Sequence, residues 1–140
     1  MPTSTFAADF LELTYRDDLD VLLSRWQRSV SAIELRQGYD VLLTTASRPR
    51  CRFWLLDLRR RGTATEDDTA WVLETFLPRL APALGGRVYL AFLLSPAHLT
   101  AVDQENGAPL VSNAQCHARL FTDEGQALAW LQRRRQHESV

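Results

Sequence analysis

Two stretches of the chain are apolar at almost every position: Phe53-Trp54-Leu55-Leu56 within Arg52 to Leu58, and Val88 to Leu94 within Arg87 to Ser95. Apolar runs of this length without alternation indicate strands covered on both faces, as in parallel or mixed α/β sheets. An earlier segment, Phe10 to Tyr15, alternates weakly between apolar and polar positions and predicts a first strand. Arg16-Asp17-Asp18 reads as a turn. Leu19 to Trp26 then reads as the second strand of a hairpin, although Val21, Leu22, Leu23 and Trp26 also suit a short helix. His117 to Phe121 predicts a short last strand.

The intervening segments change period. Ser31-Ala32-Ile33-Glu34 has the form of a capping box, and Leu35, Tyr39, Leu42, Leu43 and Ala46 follow at helical spacing. Gly38 within that pattern costs about 1 kcal/mol relative to alanine, so this helix depends on packing. Thr65 is the natural N-cap of a second helix, with Glu66, Asp67 and Asp68 at the positive end of its dipole. Pro78 should kink or divide that helix, and Gly85-Gly86 should end it. Ala97 to Gln115 is the least regular part: Ala97 to Val102 suits a short helix, Asp103 to Pro109 a loop, and Leu110-Val111 the start of another helical piece. A last helix follows Thr122-Asp123-Glu124, with Ala127, Leu128, Trp130 and Leu131 as its apolar positions.

Strands alternating with helices predict an open mixed sheet of about five strands, with an N-terminal hairpin and helices packed against it. Residues 1–9 are expected to be a loose N-terminal segment, residues 10–132 one domain, and residues 133–140 a basic tail.

Composition narrows the function classes. The 140 residues are 46% hydrophobic and 24% charged, ordinary values for one globular domain with a real core. A net charge of −1 gives no global field toward nucleic acid or an anionic membrane. All 16 basic residues are arginine, so no lysine is present to act as Schiff base, general base or phosphate ligand. Met1 to Ala8 has neither the basic nor the apolar region of a signal peptide, and no apolar run reaches the roughly 18 residues of a membrane span. The expectation is a cytoplasmic protein with reduced thiols at Cys51 and Cys116.

The element order, the Leu55-Leu56-Asp57-Leu58 strand end and the terminal Phe121-Thr122-Asp123-Glu124 followed by Ala127-Leu128 and Trp130-Leu131 resemble the STAS, or SpoIIAA-like, domain. The likeness covers Phe10 to Gln132. Small stand-alone bacterial members look similar at Trp26 after the hairpin, Asp57 with Arg59, Glu66-Asp67 to Trp71 (with one extra residue), and Phe121 to Leu131. The resemblance implies a non-catalytic regulatory or protein-interaction domain. Regulatory members are phosphorylated on a serine in an Asp-Ser-Ser-Gly-like motif before the helix that follows the central strand. This chain lacks that motif; Thr63 and Thr65 stand in the neighbourhood as the candidates for phosphorylation, although Thr65 is first of all a helix cap. Other SpoIIAA-like domains resemble lipid-binding modules, and no ligand residue carries over from them.

Arg59, Arg60 and Arg61 are the clearest candidates for chemistry, since guanidiniums at a strand end suit a phosphate or carboxylate. Alternate positions point to opposite faces, so the three should not converge, and Glu66, Asp67 and Asp68 stand close enough in sequence to pair with them. With Asp57 and Thr63 they form the expected ligand or partner surface. Asp17-Asp18, Asp57 and Ser95 also outline the acidic pair, acceptor aspartate and switch hydroxyl of a phospho-receiver, without the lysine its chemistry needs. Cys116 and His117 are adjacent and diverge in a strand, and no metal-type spacing occurs, so neither metal nor cofactor is expected. Three readings follow. The first is a domain that binds a protein partner or a second copy of itself. The second is a carrier of a small apolar or anionic ligand, with Ala97 to Val111 as a lid. The third is a degenerate receiver using Asp57.

Overall fold

The two continuous apolar stretches form the middle of a seven-stranded mixed sheet in a computed structural model, which describes residues 3–62, 64–96 and 107–138. In chain order the strands are β1 (Thr3–Ala8), β2 (Leu11–Arg16), β3 (Val21–Trp26), β4 (Phe53–Asp57), β5 (Val88–Leu93), β6 (Ala108–Ser112) and β7 (Cys116–Phe121). Their order across the sheet is β1-β2-β3-β4-β5-β7-β6. The four inner strands β3, β4, β5 and β7 run parallel, and β1, β2 and β6 form antiparallel margins.

Register explains how the core divides. Leu22, Trp54, Leu90 and Ala118 lie side by side across the inner strands, as do Leu23, Leu55, Ala91 and Arg119 one step along. Successive side chains point to opposite faces, so the first row and its period-two neighbours belong to one layer and the second to the other. The first layer packs on helix α1 (Ala32–Ser47) through Leu35, Tyr39, Leu42 and Ala46, and on the segment between β4 and β5 through Val72, Phe76, Leu80 and Leu84. The second packs on the C-terminal helix α4 (Glu124–Glu138) through Ala127, Trp130 and Leu131. The two helical crossovers, from β3 to β4 and from β4 to β5, thus lie on one face, as a common hand requires. Cover on both faces is why β4 and β5 are buried along their whole length.

The capping box forms as its residues predict: the Ser31 oxygen accepts from Glu34 N–H at 3.2 Å, and Glu34 accepts from Ser31 N–H at 2.9 Å. Pro78 divides the second helical segment. After α2 (Glu66–Trp71) the chain widens into a π-turn over Val72–Phe76, tightens to a 3₁₀ turn over Leu77–Arg79, and resumes as α3 (Leu80–Leu84). A proline without an N–H, whose ring crowds the preceding turn, accounts for this change of pitch.

Three expectations are corrected. Residues 3–8 are not loose: their backbone closes the free edge of β2, with Thr3 opposite Tyr15. A short edge strand buries little and leaves a weak period in the sequence. Leu110 and Val111 lie in strand β6, not in a helix; two apolar neighbours carry no period, and Pro109 sits where proline is tolerated, on an edge with an irregular register. Arg133 to Glu138 continue α4 instead of trailing as a tail, because Glu138 accepts from Arg52 at 2.8 Å and from the Tyr89 hydroxyl at 2.7 Å. Among the described residues, no helix is long and apolar enough to cross a membrane.

Candidate functional site

The C-terminal ends of the parallel strands carry two different arrangements of charge, one on each face of the sheet. Asp57, the last residue of β4, pairs in register with Arg25 of β3 and points toward α4. Its carboxylate is saturated. One oxygen accepts from the Arg59 backbone at 3.1 Å and from Arg59 Nε at 2.9 Å; the other accepts from Arg59 Nη2 at 2.8 Å and Arg25 Nη1 at 2.9 Å. Glu124, in the first turn of α4, completes the network by accepting from Arg25 Nη1 at 2.6 Å and Arg59 Nη2 at 3.4 Å. Burial works to raise the Asp57 carboxyl, and the hydrogen bonds from the Arg59 side chain and backbone and from Arg25 outweigh it, leaving it below its ordinary range. At the expected ligand or partner surface, Asp57 and Arg59 are thus ion-paired to each other, with Asp57 buried and 41% of the Arg59 side chain exposed.

The next residues turn to the opposite face. Leu58 accepts backbone hydrogen bonds from Arg61 at 3.2 Å and Gly62 at 3.2 Å, and Gly62, at φ 79°, takes the left-handed conformation that closes the turn. Arg60 points outward to Gln27 Oε1 at 2.6 Å. Arg61 is directed inward: only 9% of its surface is exposed. Its guanidinium lies 5.3 Å from the centroid of the buried Trp26 ring, a cation–π contact, and against the Tyr39 hydroxyl. Trp26 and Tyr39 in turn stand 5.3 Å apart between centroids.

Arg61 occupies one wall of a cavity of about 230 Å³ between the sheet, α1 and α2. Leu58, Phe92, Leu94 and Leu120 come from the strand ends, Leu35 and Tyr39 from α1, and Val72 and Leu73 from the π-turn. The proline-associated π-turn thus supplies two of the cavity's apolar side chains, Val72 from the core layer and Leu73 packed against it. Leu110 of β6, 37% exposed, stands at its outer side. A smaller space of about 70 Å³, lined by Ser29, Val30, Thr65 and Asp68, adjoins it and shares Leu35, Ala64 and Arg61.

The remaining candidates fall elsewhere. Thr65 caps α2, its oxygen accepting from Asp68 N–H at 3.1 Å. Thr63, His98 and the helical piece expected over Ala97 to Val102 lie outside the described residues. Asp17 and Asp18 lie in the turn that precedes β3, so Asp57 at the far end of β4 is remote from them and the receiver arrangement is not assembled. Cys51 and Cys116 are free and buried, and burial pushes both thiols up to about 12, leaving them inert packing groups. Burial, with the charges of Arg87, Arg134 and Arg119, pushes the His117 imidazole down to about 4, and its ring meets Trp130 edge-on at 5.3 Å. No group of side chains suited to a metal ion occurs among the described residues.

Sequence reasoning missed Arg25, Glu124, Trp26 and Tyr39 as parts of these arrangements. Each is joined to its partner by the strand register or across the sheet's edge, and no local spacing announces such a meeting. Comparison with protein-family models, curated proteins and solved structures finds no match to this chain.

Proposed function

We propose that the protein is a non-catalytic binding domain, of the regulatory kind that its resemblance to STAS domains implies, and that it takes a small, mainly apolar molecule into the cavity between the sheet and α1–α2. The observation that supports this reading is the cavity itself. Its strand-end walls are leucine and phenylalanine, and it lies at the carboxyl ends of parallel strands, where α/β sheets hold their ligands. An apolar cavity of about 150 Å³ already accepts benzene, so a volume of about 230 Å³ suits a body somewhat larger. Binding a protein partner or a second copy has less behind it, because the exposed large apolar side chains among the described residues, Ile33, Val41 and Leu110, are few.

Titration with 1-octanol, followed through the methyl resonances of Leu58, Val72 and Leu94, tests the proposal. Saturable shifts confined to the cavity are expected, and Ala64→Phe, which fills the space from its wall, should abolish them while the fold persists. Absence of any saturable shift in the native protein would remove this reading.

A further inference from the structure

Arg61 is out of place in an apolar wall. Its side chain is more than nine-tenths buried, and its Nη1 is buried without a hydrogen-bond partner. Buried cations are normally paired, and a buried donor left unmade is costly. Yet no carboxylate of the described residues lies within ion-pairing distance of this guanidinium. The Trp26 face and the Tyr39 hydroxyl hold the group in position without neutralising it. Asp68 faces the smaller adjoining space and makes no salt bridge across it.

We propose that Arg61 is the receptor for the anionic head of the ligand, and that the ligand is a monocarboxylate on a compact apolar body. This rests on the proposed use of the cavity and adds the chemical class. The carboxylate would lie against the guanidinium on the cavity wall, whose fork can meet both of its oxygens. The body would lie along Leu58, Val72, Phe92 and Leu94. A single guanidinium balances a singly charged head, and the Asp68 carboxylate in the adjoining space adds repulsion against a doubly charged phosphate. Arg59 cannot share the task, since its guanidinium is held by Asp57 and Glu124 on the other side of the sheet.

The test compares octanoate, 1-octanol and octyl phosphate on the native protein and on Arg61→Gln and Arg61→Lys, by calorimetry and by the resonance of the Arg61 guanidinium. A charge-assisted hydrogen bond should favour octanoate over 1-octanol by about 10- to 100-fold. Arg61→Gln should erase that preference by weakening octanoate more than 1-octanol, Arg61→Lys should restore part of it, and octanoate should move the Arg61 resonance. If octanoate and 1-octanol bind alike to the native protein, Arg61 is served by water and the anion assignment fails while the apolar cavity stands. Tighter binding of octyl phosphate than of octanoate overturns the monocarboxylate class. If none of the three binds, both this assignment and the cavity's use as a ligand site fall together.

Discussion

Arg59 and Arg61 stand two residues apart in one basic run and meet opposite surroundings. Arg59 follows the strand direction of Asp57 to the α4 face, where Asp57 and Glu124 accept its donors. Arg61 comes after the turn at Leu58, on the α1–α2 face, where aromatic rings surround it and one nitrogen has no acceptor. Spare capacity lies in the second arrangement. The ion network at the strand end fastens two strands to α4, whereas the cation beside the cavity, held by a ring face and a hydroxyl, keeps one nitrogen without an acceptor. The difference separates a structural use of arginine from a recognition use within one loop.

Breaking the closed side should have the largest effect. Asp57→Ala removes a buried carboxylate that holds two guanidiniums, and breaking a buried pair from one side typically costs 3–5 kcal/mol. Because the arginines left behind are partly exposed and Glu124 still accepts from both, the loss should fall below that range, about 2 kcal/mol in urea unfolding, as for hydrogen bonds to charged groups. A change below about 0.5 kcal/mol, the range of ordinary surface substitutions, would show that the network is not a structural fastener. The same carboxylate should shape the acid limb of stability. Its pKa is depressed in the folded state, so its contribution is complete above the ordinary aspartate value near 3.9 and is lost as pH falls through the lower folded value. Asp57→Asn should flatten the stability profile over that acidic window and leave the shape above it unchanged.

Much of this comparison was legible in the sequence, and the rest was hidden for identifiable reasons. The unbroken apolar runs of β4 and β5 announce burial on both faces, but Arg59 and Arg61 share a parity along the chain, and only the turn after Leu58 sends them to opposite faces. The Ser31 and Thr65 caps and the disruption at Pro78 are local events, written in three or four consecutive residues. Glu124 is joined to Arg25 across 99 positions, and only the strand order brings them together. The cavity is likewise a joint product of β4, β5, β7, α1 and the π-turn, so no one of these segments encodes it. Edge strands β1 and β6 escaped because an edge is held by backbone pairing more than by a buried stripe.

The support beneath Arg61 offers an intermediate test. Gly38 faces the Trp26 ring so closely that an added Cβ would stand 2.5 Å from one ring carbon. The glycine that weakens α1 by propensity is thus required by packing. Gly38→Ala should gain about 1 kcal/mol of helix propensity and lose more to the displaced indole, since overpacking costs 1–3 kcal/mol. A net destabilisation of about 1 kcal/mol is expected by thermal unfolding, together with a changed Trp26 environment in near-ultraviolet circular dichroism. A stabilised variant with an unchanged spectrum would mean that the ring yields freely and does not fix the guanidinium above it.

The smallest stability change should come from Arg61 itself, and its sign carries the contrast with Asp57. Replacing Arg61 by methionine removes a buried charge with no ion-pairing partner and fills much of the same space with an apolar chain. What is lost is the cation–π contact with Trp26 and the contact with Tyr39; what is relieved is the desolvation of a cation and an unmade hydrogen bond at Nη1. Replacements of buried charge by apolar side chains of similar volume are often neutral or stabilising, so Arg61→Met should unfold at the native temperature or slightly above, within about 1 kcal/mol. Asp57→Ala and Arg61→Met, two changes four residues apart, would then move stability in different directions. A loss near 3 kcal/mol in Arg61→Met, as large as the breaking of a buried pair, would instead make Arg61 a second fastener and remove the physical basis for reading it as a receptor.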